Sequence, residues 1–143
     1  MTDTAALEAI NPATGTIIST YPLMSQEEIV QAIETAHTGF QQWKYSEFAR
    51  RSKALDQASQ SLKANKVTLA KCITEEMGKP IQQSIAEVEK CAWVCDYFAE
   101  NGPQHLANEE IDLGNNNAIV SSQPLGILFA VMPWNFPLWQ AFR

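Results

Sequence analysis

Apolar residues recur at helical spacing through the first hundred positions. Ile29, Ile33, Ala36, Phe40 and Trp43 fall at offsets of 4, 7, 11 and 14, which is one stripe of an α-helix. Ser25-Gln26-Glu27-Glu28 stands ahead of them in the S-x-x-E form of a capping box, so a helix is predicted to start there. Phe48, Leu55, Ala58 and Leu62 make a second stripe, with Ser46 as its cap. Leu69, Ala70, Ile73 and Met77 make a third, stopped by Gly78 at the left-handed cap position. After Lys79-Pro80 a fourth stripe runs through Ile81, Ile85, Val88, Ala92, Cys95 and Ala99, and Gly102-Pro103 is predicted to end it. Before the helices, Asn11-Pro12-Ala13-Thr14-Gly15 predicts a turn, followed by a short β-rich segment over residues 16–21 that Pro22 closes.

Beyond these helices the period changes. Residues 111–113, a Gly114–Asn117 turn and residues 118–123 read as a β-hairpin. Pro124-Leu125-Gly126 breaks the chain. Ile127-Leu128-Phe129-Ala130-Val131-Met132 is then apolar at every position, the pattern of a strand with both faces covered in a parallel sheet. Such a strand needs neighbours on both edges, which points to more chain than these 143 residues; the alternative is pairing with the hairpin alone. Pro133 closes the segment, and Pro137 sits where a helix can begin. The fold class is therefore α/β, mostly helical in the first hundred residues. Three parts are expected: 1–108, helical; 109–124, the hairpin; and 125–143, a first sheet strand with its loop.

Composition narrows the function. Apolar residues make up 45% and charged residues 18%, a globular balance. A net charge of −6 argues against nucleic-acid binding, which needs a concentrated basic surface, and Arg50-Arg51 is too short to form one. The start, Met1 to Ile10, has neither the basic nor the apolar region of a targeting signal, and no apolar run approaches a membrane span. Three cysteines, Cys72, Cys91 and Cys95, do not make a complete disulfide set, so reduced thiols in the cytoplasm are expected.

In open parallel sheets ligands bind beyond the carboxyl ends of strands. Pro133-Trp134-Asn135-Phe136-Pro137 occupies that place, with two prolines clamping a short loop around Asn135. An Asn amide offers two uncharged N–H donors, suited to an oxyanion hole; the plainer role is to stabilise a turn. Together, Pro124-Leu125-Gly126 with Met132-Pro-Trp-Asn-Phe-Pro-Leu138, Ile10-Asn-Pro-Ala-Thr-Gly15 and Glu75-Glu-Met-Gly-Lys-Pro80 closely resemble the aldehyde dehydrogenase superfamily, in its order and spacing, across residues 10–143. Cys95-Asp-Tyr-Phe-Ala99 and Phe136-Pro-Leu-Trp-Gln140 bring the chain nearest to the bacterial succinate-semialdehyde dehydrogenases.

The resemblance implies a Rossmann-like cofactor domain entered through helices, with the hairpin belonging to an oligomerisation domain and the complete enzyme a dimer or tetramer. It implies oxidation of an aldehyde, such as succinate semialdehyde, by NAD or NADP. In this family a cysteine thiolate attacks the aldehyde while an Asn and a backbone amide hold the oxyanion. Hydride passes to the cofactor, and a glutamate activates the water that hydrolyses the thioester. Asn135 matches that Asn. Val131, Met132, Pro133 and Trp134 match the loop lying along the cofactor, with core packing as the alternative for the first two. Arg143, eight residues beyond Asn135, matches an Arg that contacts the substrate's distal carboxylate; guanidinium suits carboxylate through two parallel hydrogen bonds. Phe136 and Trp139 are candidate walls of the same pocket, or core aromatics.

Other residues carry less. Cys91 and Cys95 lie four apart on one helix, but no third and fourth metal ligand stands near them, so buried structural thiols are expected and no metal site. No cysteine matches the family's nucleophile, and Glu75, Glu76 and Glu87 read as solvated helix charges rather than its base. The Gly-rich phosphate segment and the ribose-contacting Lys have no match either. The chain is therefore expected to be the N-terminal portion of such an enzyme and inactive by itself; the alternative is a truncated fragment, or a module acting by association through its hairpin edge, with no catalysis of its own.

Overall fold

The computed structural model describes residues 6–143. Residues 1–5, half of the start that reads as free of a targeting signal, lie outside the described residues.

Strand β1 (Ala6–Ile10), which the apolar pattern does not predict, pairs antiparallel with β2 (Ile17–Pro22). The predicted turn joins them. The Asn11 carbonyl accepts from the Gly15 N–H at 2.8 Å, the Asn11 side chain accepts from the Ala13 N–H at 2.9 Å, and Gly15 takes φ +70°. Helix α1 (Gln26–Trp43) begins with the complete capping box: Glu28 accepts from the Ser25 N–H at 2.7 Å, and the Ser25 hydroxyl accepts from the Glu28 N–H at 3.2 Å. Its apolar stripe nevertheless buries no residue.

Helix α2 (Phe48–Ala64) is preceded by Glu47, not Ser46, as its cap. The Ser46 hydroxyl instead donates back to the Trp43 carbonyl at 2.6 Å and accepts from Arg51 Nε at 3.1 Å, so it closes α1 rather than opening α2. Helix α3 (Lys66–Met77) stops at Gly78, which adopts φ +75° as expected of a left-handed cap. Helix α4 (Ile81–His105) runs past the predicted stop at Gly102-Pro103. Proline removes only its own N–H, so the next residues continue the turn: the Leu106 N–H reaches the Gly102 carbonyl at 3.1 Å, and the Tyr97 hydroxyl bonds His105 Nε2 at 3.0 Å.

The core lies where α2, α3 and α4 meet. Leu62, Ala70, Ile73, Val88, Cys91, Ala92 and Cys95 are buried there, flanked by half-buried Leu55, Leu69, Met77 and Ile85. Complete burial of a side chain the size of Val88 or Ile73 stabilises by about 1.5–3 kcal/mol. Exposed ion pairs also tie α4 to its neighbours, Lys63 to Asp96 at 2.7 Å and Lys66 to Glu89 at 2.6 Å. They add little, since water and salt screen them.

The hairpin consists of β3 (Glu109–Asp112) and β4 (Asn117–Val120), in register from Glu109↔Val120 to Asp112↔Asn117. Gly114, at φ +81°, donates to Asp112 Oδ1 at 2.8 Å and makes the turn. The predicted second strand runs to residue 123; the observed one ends at Val120, opposite the first residue of β3. Residues 127–132 form no strand. Among the described residues the sheets are β1–β2 and β3–β4, neither offers 127–132 a partner, and Leu125 and Phe129 are each 93% exposed. The expectation of a buried strand is thus corrected for this chain: the apolar pattern is present, while the edges that would pair it are not among the described residues. Helix α5 (Pro137–Phe142) begins at the predicted proline and seats Leu138, Trp139 and Phe142 against the core.

Candidate active site

The loop 133–137 takes its position from α5, the helix it leads into. Pro137 opens α5 without an N–H, so the first free amides of that helix are those of Leu138 and Trp139. Both donate to one oxygen, Glu87 Oε1, each at 3.1 Å. The other oxygen, Oε2, pairs with Lys79 Nζ. This pair is buried: Glu87 is 4% exposed and Lys79 6%. The ammonium also lies 3.7 Å from the centroid of the Phe136 ring, so it is held between a carboxylate and an aromatic face.

Glu87 is therefore not a solvated helix charge, as its place in the sequence suggested. It lies between Ser84 and Cys91, both buried on α4, and these small side chains leave room for a carboxylate. That spacing of small residues three before and four after an acidic one was the available sequence signal. Glu75, in contrast, is only half-buried and faces Lys71 at 3.5 Å.

The site residues separate around the loop. Trp134 lies over a shallow apolar cleft with Leu69, Cys72, Ile73, Met77 and Leu138. Phe136 and Trp139 border another cleft with Lys79, Gln83, Glu87 and Lys90, and the Lys90 ammonium stands 3.9 Å from the Trp139 ring centroid. Asn135, between these aromatics, is exposed. Val131 and Pro133 are exposed and Met132 is half-buried, so the segment beside Asn135 presents an uncharged surface. Arg143 ends α5 with an exposed side chain, its N–H donating to the Trp139 carbonyl at 3.0 Å.

The thiols are protonated, poor nucleophiles. Burial pushes Cys91 up to about 11, with the nearby Glu87 charge adding to it. Burial also raises Cys95, with Asp96 contributing, and raises Cys72, with Glu76 contributing. Cys91 and Cys95 are buried, as expected of structural thiols, whereas Cys72 is exposed. A nucleophilic cysteine requires the opposite shift.

The sequence matches the model of the aldehyde dehydrogenase family over residues 1–143. The chain belongs to the aldehyde dehydrogenase family. Among its relatives within that family, the succinate semialdehyde dehydrogenase (NAD(P)+) Sad of Escherichia coli (strain K12) is 43% identical over 145 residues, covering 100% of this chain and 31% of the relative. A probable succinate-semialdehyde dehydrogenase (NADP(+)) of Synechocystis is 41% identical, covering 96% and 30%. The aldehyde dehydrogenase fold is seen in the crystal structure of succinic semialdehyde dehydrogenase from Streptococcus pyogenes in complex with NADP+. It superposes with a TM-score of 0.89 at 27% identity, covering 94% of this chain and 30% of that one. The chain thus spans about a third of the length of these relatives. Among the described residues, no helix is long and apolar enough to cross a membrane.

Proposed function

We propose that this chain is the N-terminal part of an NAD(P)-dependent aldehyde dehydrogenase that oxidises succinate semialdehyde to the acid. The observation that carries the reading is an exposed Asn135 on a loop clamped by Pro133 and Pro137 and anchored to the core through Glu87. An amide held in that way donates a preset hydrogen bond to an aldehyde oxygen as negative charge develops on it. The uncharged surface of Val131, Met132, Pro133 and Trp134 beside it suits contact with the cofactor, which accepts the hydride when bound. Arg143, one short helix away, carries the cation that would select an aldehyde with a distal carboxylate.

In this reading residues 1–108 and 125–143 belong to the cofactor-binding domain. The hairpin 109–124 serves oligomerisation, and the complete enzyme is a cytoplasmic dimer or tetramer. The 143-residue chain alone lacks nucleophile and base and forms no NAD(P)H. The test is steady-state kinetics of the full-length enzyme with succinate semialdehyde: Asn135→Ala lowers kcat by about 10² to 10³. Undiminished turnover would remove Asn135 from the oxyanion site, and aldehyde-dependent NAD(P)H formation by the isolated chain would refute the partition of the machinery.

A further inference from the structure

We infer that Glu87 is the positioning residue of the active-site loop, aiming the Asn135 amide through its hold on the start of α5; this rests on the proposed role of Asn135. The hydrogen-bond accounting leads there. Pro137 has no N–H, and the next two amides of α5, those of Leu138 and Trp139, both end on Glu87 Oε1. Glu87 sits inside a 25-residue helix whose Val88, Cys91 and Ala92 are packed in the core, so its carboxylate is a fixed point. Between that point and Asn135 lie only Phe136 and Pro137. The proline ring fixes one backbone angle, and the Phe136 ring lies against the Lys79 ammonium, which the same carboxylate pairs. On either side of Pro137 the chain is thereby tied down, at Phe136 to Lys79 and at Leu138 and Trp139 to Glu87.

The buried charges themselves point to this role. A buried ion pair is generally no more stabilising than apolar side chains of the same volume. What an apolar pair cannot do is accept two backbone N–H groups and fix their direction. Lys79 supplies the compensating charge beside that carboxylate and a seat for the Phe136 ring.

Two paired variants of the full-length enzyme separate positioning from stability. K79M/E87L and K79M/E87Q both lack the ion pair, but only the Gln retains an oxygen for the Leu138 and Trp139 amides. Turnover is measured with propanal, which has no distal carboxylate and so bypasses Arg143. A misplacement near 1 Å costs about 100-fold in rate, so kcat of K79M/E87L is expected about 10- to 100-fold below that of K79M/E87Q. Hydrogen exchange at Leu138 and Trp139 is expected to be faster in the Leu variant. When Asn135→Ala is added to both, the gap in kcat closes, because the group being aimed is gone. Equal kcat for the two variants, while Asn135→Ala alone still slows the enzyme, overturns the role of Glu87 and leaves that of Asn135 intact. A gap that persists without Asn135 overturns it as well. If Asn135→Ala alone has no effect, the underlying reading fails and the positioning role fails with it.

Discussion

Gly78 offers a direct test of how the helices are joined. It holds φ +75°, and a Cβ placed on it would lie 3.2 Å from Cγ of Pro12. Gly78→Ala therefore brings two costs and one gain. A left-handed backbone costs an L-residue about 1–2 kcal/mol. Contact with Pro12 adds less, because that proline sits in an exposed turn with room to shift by a few tenths of an ångström. Against these, alanine narrows the unfolded ensemble and returns about 0.4–1 kcal/mol. The net expectation is a destabilisation of about 1 kcal/mol, or a lowering of the urea midpoint by about half a molar at the usual slope. Urea unfolding followed by tryptophan fluorescence measures it. Gly78→Asn separates the causes, since asparagine tolerates the left-handed region but carries the same Cβ. It should recover most of the loss, and Pro12→Ala in the Gly78→Ala background should recover only the smaller contact part. If Gly78→Ala leaves the midpoint unchanged, the left-handed cap does not fix the path from α3 into Lys79. If Pro12→Ala restores full stability, the contact dominates and the backbone argument is wrong.

Other expectations concern chemistry. Arg143→Ala should raise KM for succinate semialdehyde by about 10- to 100-fold, the worth of a charge-assisted hydrogen bond, while KM for propanal stays near its starting value; equal effects on both aldehydes would exclude Arg143 from recognition of the carboxylate. Cys91 gives a pH signature. Its thiol keeps its proton up to about 11 in the folded chain, against an ordinary value of 9.0, so between about pH 9 and 11 the unfolded state binds fewer protons and stability falls as pH rises. Cys91→Ala should flatten that decline in pH-dependent urea titrations, and an unaltered slope would assign the loss to other groups.

Local signals are legible in the sequence where one short segment contains all the interacting parts. The Ser25–Glu28 capping box, the Gly78 stop and the Asn11–Gly15 turn each satisfy their own backbone groups within a few residues, and Pro137 marks the start of α5 by its own fixed backbone angle. Expectation and structure part where partners are distant in sequence or where bonds compete. β1 exists because β2 supplies its hydrogen bonds, and nothing in residues 6–10 alone distinguishes it. Ser46 had two possible uses and took the carbonyl behind it. The segment 127–132 has the composition of an inner strand, but composition does not supply neighbouring edges. The candidate site was legible through the motif around Asn135, a local feature, while its anchor at Glu87 lies 51 positions before Leu138 and gave only the faint signal of small residues around an acidic one.

The burial of Lys79 and Glu87 together also constrains how the sequence can change over time. Losing either partner first leaves an orphan charge in the interior, at a cost of about 3–5 kcal/mol, whereas losing both can be neutral. A lineage moving from the ion pair to an apolar pair must therefore cross an intermediate worse than either end. Positions 79 and 87 should then change together across descendants of this sequence or stay as they are. Since the two amides of α5 also depend on position 87, the replacements that survive there should be those that still bear an oxygen acceptor.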